Sequence, residues 1–410
     1  MNLREDADYI ISESIRKVLP DEAVALALTG KTFAKGKLYV VAAGKAAWQM
    51  ANAAAELMGN RIEAGVVVTK YDHVKGDIPK MTCFEAGHPV PDENSFAGTQ
   101  AALDLVADLH EEDTVLFLLS GGGSALFEKP LIPEDELKDI TKQLLACGAD
   151  IVEINTIRKR ISGVKGGKFA KICEPAQVYS IVLSDILGDP LDMIASGPAY
   201  PDSATCEKAL EIVDKYGLKL SERALNLLRE ETPKKLDNVE TVVTGSVKNL
   251  CKAAAEAART LGYDPIFLTD QLSCEAKEAG AFLAAIAKSH QDSEKSLAFI
   301  AGGETVVHLS GNGLGGRNQE LALAAAEGIA GLENVAVFSV GSDGTDGPTD
   351  AAGGYVDGSA KDLLAKEGIN IYQVLKQNDA YHALKKTGGL IMTGATGTNV
   401  NDVAVALIRR

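Results

Sequence analysis

Apolar runs that end at a glycine recur along this chain, and each is followed by residues with helical spacing. The run at 38–43 ends at Gly44, an alanine-rich helix begins at Lys45, and a further apolar run follows at 64–69. Strands that are apolar on both faces are typical of parallel sheets covered by helices, joined by right-handed crossovers. The pattern predicts an α/β fold. It also predicts one long helix over residues 138–154.

The same order of strand, glycine, alanine-rich helix and strand returns in the second half, at 239–262. Composition changes just before it, at 230–238, where a linker is expected. A chain of 410 residues is also too long for one ordinary core. We predict two Rossmann-like three-layer α/β/α domains, at residues 1–235 and 236–410, with mostly parallel sheets and an interdomain cleft.

Three successive glycines follow the central apolar run at 114–119, in the order Ser120, Gly121, Gly122, Gly123, Ser124. Glycines allow backbone N–H groups to approach a ligand closely, and a plain turn would need only one or two of them. We interpret this loop as an anion-binding nest in which the two serines are additional donors. Lys45, at the carboxyl end of another strand, lies where open α/β sheets bind ligands, although a solvated lysine in a first helical turn is the alternative.

A second glycine-rich loop follows the apolar run at 297–301 and contains Gly311, Gly313, Gly315 and Gly316. It leads to Arg317 and to a helix predicted at 318–327, so it could present one cation and a helix N-terminus to an anion. The spacing also satisfies the G-x-G-x-x-G dinucleotide pattern, but no acid ends the next strand where one would hold a ribose. Phosphate binding is favoured over nicotinamide binding, and ordinary turn glycines remain an alternative.

Acidic residues follow two other apolar runs. Asp185 and Asp189 come after the run at 178–183, and Asp343 and Asp346 come after the run at 335–340. Carboxylates at these positions suit magnesium binding or proton transfer, whereas turn-capping by their side chains is the alternative.

The segment 155–168 carries the highest density of positive charge, including Arg158, Lys159, Arg160, Lys165 and Lys168. A solvated helix face accounts for most of these residues, and one or two are expected near a ligand. His88, between a glycine and a proline, could face a ligand or serve only the structure.

Overall composition narrows the class of partner. The formal charge of −16 argues against nucleic acid or an anionic membrane as the main partner. The six cysteines form no C-x-x-C pair, which is typical of reduced thiols in a cytoplasmic protein. The first twenty residues have helical spacing with mixed charge, unlike a signal peptide or a membrane span.

Nine segments in order resemble the glycerate 2-kinase family, whose C-terminal part is the MOFRL domain. They are AAGKAA at 42–47, GHPVPDE at 87–93, LSGGGSAL at 119–126, NTIRKRISGVKGGK at 155–168, SDILGDP at 184–190, GGET at 302–305, GGRNQELAL at 315–323, SDGTDGPTDAAGG at 342–354 and TGTNVNDV at 396–403. They are spread over essentially the whole chain.

The resemblance implies transfer of the ATP γ-phosphoryl group to the 2-hydroxyl of D-glycerate, giving 2-phosphoglycerate, with Mg²⁺ or another divalent cation. It implies that Lys45 and Arg317 are the catalytic pair, one in each half. Small-molecule substrates, a cytoplasmic location and a monomer or homodimer are expected. An NAD(P)-dependent hydroxypyruvate reductase is the main alternative, because some relatives have that name, and a non-catalytic sugar-acid or nucleotide sensor is a third hypothesis.

The expected site residues follow from both lines of reasoning. Asp189 is a candidate proton acceptor, and the loops at 302–304 and 342–347 are expected to hold nucleotide phosphates and magnesium. Candidate binding residues are Ser120, Gly121, Gly122, Gly123, Ser124, Asn155, Arg158, Lys165, Gly302, Gly303, Glu304, Gly315, Gly316 and Asn318; candidate metal ligands are Asp185, Asp343 and Asp346.

Overall fold

A computed structural model describes residues 2–410, which form two compact units. The parallel-sheet unit comprises residues 23–183 and 189–244, and the mixed-sheet unit comprises residues 2–22, 184–188 and 245–410. These bounds differ from the predicted ones because the N-terminal helix and the short segment 184–188 pack with the C-terminal half. No helix within residues 2–410 combines the length and apolar character needed to cross a membrane.

Twelve strands are present among the described residues. They are β1 Leu38–Ala43, β2 Ile62–Lys70, β3 Met81–Ala86, β4 Thr114–Leu119, β5 Gln177–Leu183, β6 Val239–Gly245, β7 Asp264–Leu272, β8 Leu297–Gly303, β9 Val335–Gly341, β10 Gly353–Asp357, β11 Leu390–Ile391 and β12 Asp402–Ile408.

Sixteen α-helices accompany these strands between residues 2 and 410. They are α1 Leu3–Arg16, α2 Pro20–Leu28, α3 Ala47–Met58, α4 Glu93–Leu105, α5 Gly123–Leu126, α6 Glu134–Ala146, α7 Ile151–Ile161, α8 Lys168–Ile172, α9 Cys206–Tyr216, α10 Glu222–Leu228, α11 Val247–Thr260, α12 Ala276–Ser289, α13 Arg317–Gly328, α14 Ala360–Lys366, α15 Ile371–Gln377 and α16 Ala380–Thr387.

The first sheet has the strand order β3-β2-β1-β4-β5-β6, and the pairings among β3, β2, β1, β4 and β5 are all parallel. Its strands β1, β4 and β5 are buried on both faces, as the continuous apolar runs predict. One face packs against α3, and the other holds the rings of Phe117, Phe127 and Phe169 with centroids 4.8–5.7 Å apart. Because the strands are parallel, the residues that follow β1, β2, β3 and β4 meet at one edge.

The helix predicted over 138–154 is two helices. Helix α6 ends at Ala146, Gly148 has a left-handed φ of 73°, and α7 starts after Asp150. The Asp150 side chain accepts from the Glu153 amide at 2.9 Å, and the Glu153 side chain accepts from the Asp150 amide at 3.1 Å. This reciprocal capping box satisfies two helix-start donors and fixes the break.

The second sheet, with order β11-β10-β9-β12-β8-β7, differs from the predicted parallel arrangement. Only β7 and β8 pair in parallel, because β12 inserts antiparallel between β8 and β9, and β10 turns back antiparallel on β9. Both faces are still covered. Phe338 and Val405 face the layer of α1 and α11, whereas Val337 and Ala406 face α12 and α13. The α/β class with two units is confirmed, with a mixed second sheet.

The repeated strand–glycine–helix pattern at 239–262 does not begin the second sheet. Its strand, β6, is the edge of the first sheet, and only the helix α11 and the strand β7 belong to the mixed-sheet unit. The similarity between the two segments therefore reflects local chain geometry, since the two patterns occupy different positions in their sheets.

Candidate active site

Lys45 is held at the carboxyl end of β1 by the loop that follows β4. The Lys45 amide donates to the Gly121 carbonyl at 2.9 Å, and the Ala46 amide donates to Ser120 Oγ at 3.0 Å. Gly44 has φ of 127°, and a Cβ there would lie 2.2 Å from Ser120 Oγ. A side chain at position 44 would therefore separate the two loops. The Lys45 carbonyl accepts from Thr69 Oγ1 at 3.3 Å, and His73 Nδ1 lies 2.9 Å from it.

The Lys45 side chain is half-buried, and its ammonium has no hydrogen-bond or ion-pair partner within residues 2–410. A lysine ammonium carries three donors, and half-burial without a partner is costly unless an anion or water meets them. The lysine predicted to bind a ligand is thus positioned by its backbone and unpaired at its tip.

Two of the three glycines after β4 leave no room for a side chain. Gly122 has φ of 86°, and a Cβ there would lie 3.1 Å from both Lys45 Cγ and His88 Nε2. A Cβ at Gly123 would lie 2.7 Å from the Ala195 Cβ. The amides of Gly121 and Gly122 donate to no group in the part of the chain that the structure describes. Unpaired backbone N–H groups beside Lys45 are the kind of donors that form an anion nest.

Asn155, Arg158 and Lys165 support this loop. Ser196 Oγ donates to Asn155 Oδ1 at 3.0 Å and lies 3.2 Å from Ser124 Oγ. Arg158 and Lys165 both donate to the Ser124 carbonyl, at 3.2 and 2.8 Å.

The Lys165 ammonium is completely buried and lies 3.2 Å from Glu128 Oε2. Burial lowers the pKa of Lys165 to about 8, although Glu128 opposes the shift. Because the Lys165 ammonium is enclosed by protein, it holds the loop at 120–124 in position.

The other basic residues of 155–168 also have internal partners, where a solvated face was expected. Lys159 Nζ is 3.0 Å from the buried Asp202 carboxylate, and Arg160 is 3.5 Å from it. Lys168 Nζ donates to three backbone carbonyls at 2.6–3.1 Å. Lys159 and Arg160 are at most 2% exposed. The charge density of this segment therefore stabilises the fold of the parallel-sheet unit.

The two acids of the segment 184–190 fall in different units. Asp189 lies in the parallel-sheet unit with φ of 51°, and its Oδ1 is buried without a hydrogen-bond partner among the described residues. Asp185 lies in the mixed-sheet unit and is half-buried. The proposed proton-accepting and metal-binding roles of these two residues stay predictions.

In the mixed-sheet unit, Arg317 is the first residue of α13 and is held by two carboxylates. Its Nε and NH2 groups donate to the two oxygens of Asp402 at 2.5 and 3.1 Å, and its NH1 lies 3.3 Å from Glu304 Oε1. A bidentate pair fixes the plane of the guanidinium. About a third of the Arg317 side chain remains exposed, so its outer edge can meet a ligand.

Asp346 caps the start of α13, and its predicted metal-binding role stays a prediction. Its Oδ1 accepts from the Asn318 amide at 3.1 Å, and its Oδ2 accepts from the Gln319 amide at 2.8 Å. A Cβ at Gly316 would lie 2.3 Å from Asp346 Cγ. The N-terminus of α13, predicted to receive an external anion, is thus capped by this internal carboxylate. Burial raises the pKa of Asp346 to about 6, although the two amides oppose the shift.

Replacing Asp346 with alanine should lower the free energy of unfolding by about 1–2 kcal/mol, the usual cost of losing a helix cap. The folded pKa of about 6 exceeds the usual value, so the contribution of Asp346 is largest at low pH and decreases as the pH rises through 6. Urea unfolding at pH 5 and pH 8 should therefore show the larger deficit at pH 5. Asp362→Ala, at an exposed position in α14, is the matched control. Equal stability of the two variants would contradict the capping role.

The loop at 311–316 packs against the segment 377–380. The amides of Ser310 and Gly311 both donate to Asn378 Oδ1, at 2.8 and 2.9 Å, and the Gly313 amide donates to the Gln377 carbonyl at 2.8 Å. A Cβ at Gly311 would lie 2.4 Å from Gln377 Cα. The donors that a pyrophosphate would need are therefore used by the protein.

The remaining predicted glycines are also in close internal contact. A Cβ at Gly302 would lie 2.3 Å from Cys251 Sγ, and one at Gly303 would lie 2.1 Å from the Leu272 carbonyl oxygen. A Cβ at Gly315 would lie 3.3 Å from the Ala380 nitrogen. Asn318, predicted as a binding residue, is buried, and its Oδ1 accepts from Ser339 Oγ at 2.5 Å.

Asp343 forms a local turn, as the alternative interpretation expects. Its Oδ1 accepts from the Thr345 amide at 2.9 Å, which leaves Oδ2 without a donor within residues 2–410. The carboxylates of Asp185, Asp343 and Asp346 do not form a described group whose oxygens all lie within 4.8 Å of one another. A Cβ at Gly341 would lie 3.4 Å from Asp343 Oδ1 and 3.3 Å from Asp402 Oδ1, so these two acids do converge.

Sequence reasoning missed Asp402 and His73. Asp402 opens the otherwise apolar strand DVAVALI, and an acid at the start of a buried strand was an available signal. Nothing local to His73 indicates that it would lie beside the Lys45 carbonyl, because the contact joins residues 28 positions apart.

Two family models match this chain, one in each half of the sequence. The family described as "Domain of unknown function (DUF4147)" matches residues 6–229, and the MOFRL family matches residues 297–402. The chain is 52% identical to D-glycerate 2-kinase of Thermotoga maritima over 99% of both chains. It is 42% identical to glycerate 2-kinase of Pyrococcus horikoshii over 100% of this chain and 98% of that protein.

A crystal structure of glycerate kinase from Thermotoga maritima matches with a TM-score of 0.95, covering 99% of each chain. A relative from Agrobacterium vitis with a provisional hydroxypyruvate reductase name is 37% identical, over 91% of this chain and all of that protein. The identity to the two glycerate 2-kinases above is higher and covers nearly the full length. The chain therefore belongs to the glycerate 2-kinase family, with a DUF4147 domain followed by a MOFRL domain.

Proposed function

We propose that this chain is an ATP-dependent glycerate 2-kinase that phosphorylates the 2-hydroxyl of D-glycerate. The observation that carries the proposal is the 52% identity to a D-glycerate 2-kinase over 99% of both chains. Phosphoryl transfer needs alignment and neutralisation of charge more than covalent help from the protein. Free cationic and amide donors in one unit, and a fixed guanidinium in the other, are suited to those tasks.

Lys45 and the amides of Gly121 and Gly122 bind phosphate oxygens in this proposal. They are chosen because their donors have no partner within residues 2–410. Arg317 stabilises charge on the transferring group through the exposed edge of its guanidinium, while Asp402 and Glu304 hold its orientation. Asn155, Arg158 and Lys165 act through the loop at 120–124 and do not themselves bind substrate.

A divalent cation is part of the proposal, and the donor set in the mixed-sheet unit fits one. Magnesium prefers carboxylate oxygens, and Asp343 offers an oxygen without a donor near the carboxylate of Asp402. Asp343 would hold the ion, since Asp346 is committed to the start of α13. When bound, magnesium would neutralise phosphate charge.

A nicotinamide enzyme is disfavoured by two observations. The first sheet has the strand order of dinucleotide-binding folds, but its first loop has the single Gly44 followed by Lys45, and β2 ends at Lys70 where an acid would hold the ribose. Three glycines of the loop at 311–316, Gly311, Gly313 and Gly315, pack against residues 377–380.

The purified full chain should consume ATP in the presence of D-glycerate and magnesium, and EDTA should stop turnover. Enolase-coupled detection without phosphoglycerate mutase identifies the product as 2-phosphoglycerate. A requirement for the mutase would show phosphorylation of the 3-hydroxyl. Oxidation of NADH or NADPH by hydroxypyruvate, with no ATP-dependent loss of glycerate, would contradict the proposal.

A further inference from the structure

His88 is presented beside Lys45 by a fixed loop between β3 and α4. A Cβ at Gly87 would lie 2.6 Å from the Val90 carbonyl oxygen, so the loop closes tightly on itself. Asp92 anchors its far end, because the Asp92 carboxylate accepts from the Ser95 amide at 3.0 Å and from the Tyr71 hydroxyl at 2.8 Å. The backbone that carries His88 is therefore well constrained.

The imidazole of His88 lies next to Gly122 in the glycine loop, and so does the Lys45 side chain. A Cβ at Gly122 would lie 3.1 Å from His88 Nε2 and from Lys45 Cγ, and 3.0 Å from His88 Cδ2. Neither ring nitrogen has a hydrogen-bond partner in the described part of the chain, and the residue is half-buried. The His88 ring therefore has a nitrogen that is free to accept a proton, and the unpaired Lys45 ammonium is nearby.

The charged and titratable groups acting on His88 are Lys45 from the loop after β1, Lys70 at the end of β2, and His73 between β2 and β3. Burial, followed by Lys45, Lys70 and His73, lowers the pKa of His88. The lowered pKa favours the neutral imidazole, which can accept a proton.

We propose that His88 is the catalytic base that accepts the hydroxyl proton of the acceptor substrate. This inference rests on the proposed kinase function. The attacking oxygen must lie about 3–3.5 Å from the phosphorus, so a phosphoryl group at Lys45 brings the hydroxyl close to His88. The proton moves to His88 as the oxygen–phosphorus bond forms. The bond to the bridging oxygen breaks, its electron pair leaves on ADP, and the imidazolium releases the proton to solvent.

The neighbouring groups are less suited to this step. A lysine ammonium is only a donor, which excludes Lys45 and Lys70 in their charged forms. His73 Nδ1 lies 2.9 Å from the Lys45 carbonyl and must donate to it, so this ring has a positioning task on the backbone of Lys45. His88 has no such task.

The test compares His88→Asn and His88→Gln with His110→Asn in the full chain. His110 is in the same unit, and its side chain is 82% exposed. With ATP, magnesium and D-glycerate, both His88 variants should lose about 10²–10⁴-fold in kcat, the usual range for a general base, with little change in KM. The wild type should lose kcat as the His88 ring becomes protonated at acidic pH, and this acidic decline should be absent from both variants. His110→Asn should match the wild type, and all variants should keep the wild-type Tm within a few degrees.

A kcat within threefold of the wild type in both His88 variants would overturn the inference. So would loss of the acidic decline in His73→Asn but not in the His88 variants. Titration of the His88 ring by NMR, without substrate, gives a readout independent of turnover: a ring protonated at pH 7 overturns the inference. Absence of glycerate phosphorylation by the wild type would instead refute the proposed function, so the two failures are distinguishable.

Discussion

An enzyme with lysine in place of Arg317 should phosphorylate D-glycerate at least about 10³-fold more slowly, the lower range for removing a transition-state arginine. Lysine keeps the positive charge but cannot donate to both Asp402 oxygens and to Glu304 at once, as the guanidinium does at 2.5, 3.1 and 3.3 Å. The measurement is kcat and KM with ATP and D-glycerate.

Arg259→Lys is the matched control, because Arg259 is exposed in the last turn of α11 in the same unit. The variant at 317 should unfold at nearly the wild-type urea concentration, since a cation remains beside the buried Asp402. A kcat within tenfold of the wild type would show that Arg317 only supports the fold.

Replacement of Lys45 by methionine should reduce kcat by a similar factor of at least about 10³ while leaving the protein as stable as the wild type. The stability follows from the absence of any partner for the Lys45 ammonium within residues 2–410, because its removal leaves no buried group unpaired. Steady-state kinetics and thermal unfolding, measured on the same preparation, separate the two effects.

Lys37→Met provides the control for Lys45. Lys37 precedes β1 and is 57% exposed, where it pairs with Glu63 at 3.1 Å. If Lys45 and Arg317 serve the same phosphoryl group, the double variant should be much less impaired than the product of the two single losses. Multiplicative losses would indicate independent roles, and normal turnover by Lys45→Met would exclude Lys45 from the reaction.

Local pattern was enough to predict the class of fold and several elements. The apolar run at 335–340 is β9, and the helix expected at 318–327 is α13, Arg317–Gly328. The break between α6 and α7 was missed, although Asp150 and Glu153 have the spacing of a capping box and could have indicated it. The mixed second sheet could not be predicted from local pattern. Strand β12 is buried on both faces like a parallel strand, although it runs antiparallel.

The two glycine loops show why site prediction was harder. Both loops have residues that allow close approach of a ligand, but at 311–316 the approaching group is the segment 377–380, which is distant in sequence. At 121–122 the amides remain unpaired. The buried partners of the basic segment, Glu128 and Asp202, were likewise set by tertiary contacts. Charge and glycine content identify residues that need a partner, and only the fold decides whether that partner is a ligand.

The central place of β12 in the second sheet constrains the order in which the chain can mature during synthesis. Strands β8 and β9 are both made before β12, and each pairs with it along its whole length. Until residues 402–408 leave the ribosome, both strands expose unpaired backbone edges that favour intermolecular association. Every strand of the other sheet, in contrast, is already translated by residue 245. Nascent mixed-sheet units should therefore depend on chaperones for longer than nascent parallel-sheet units.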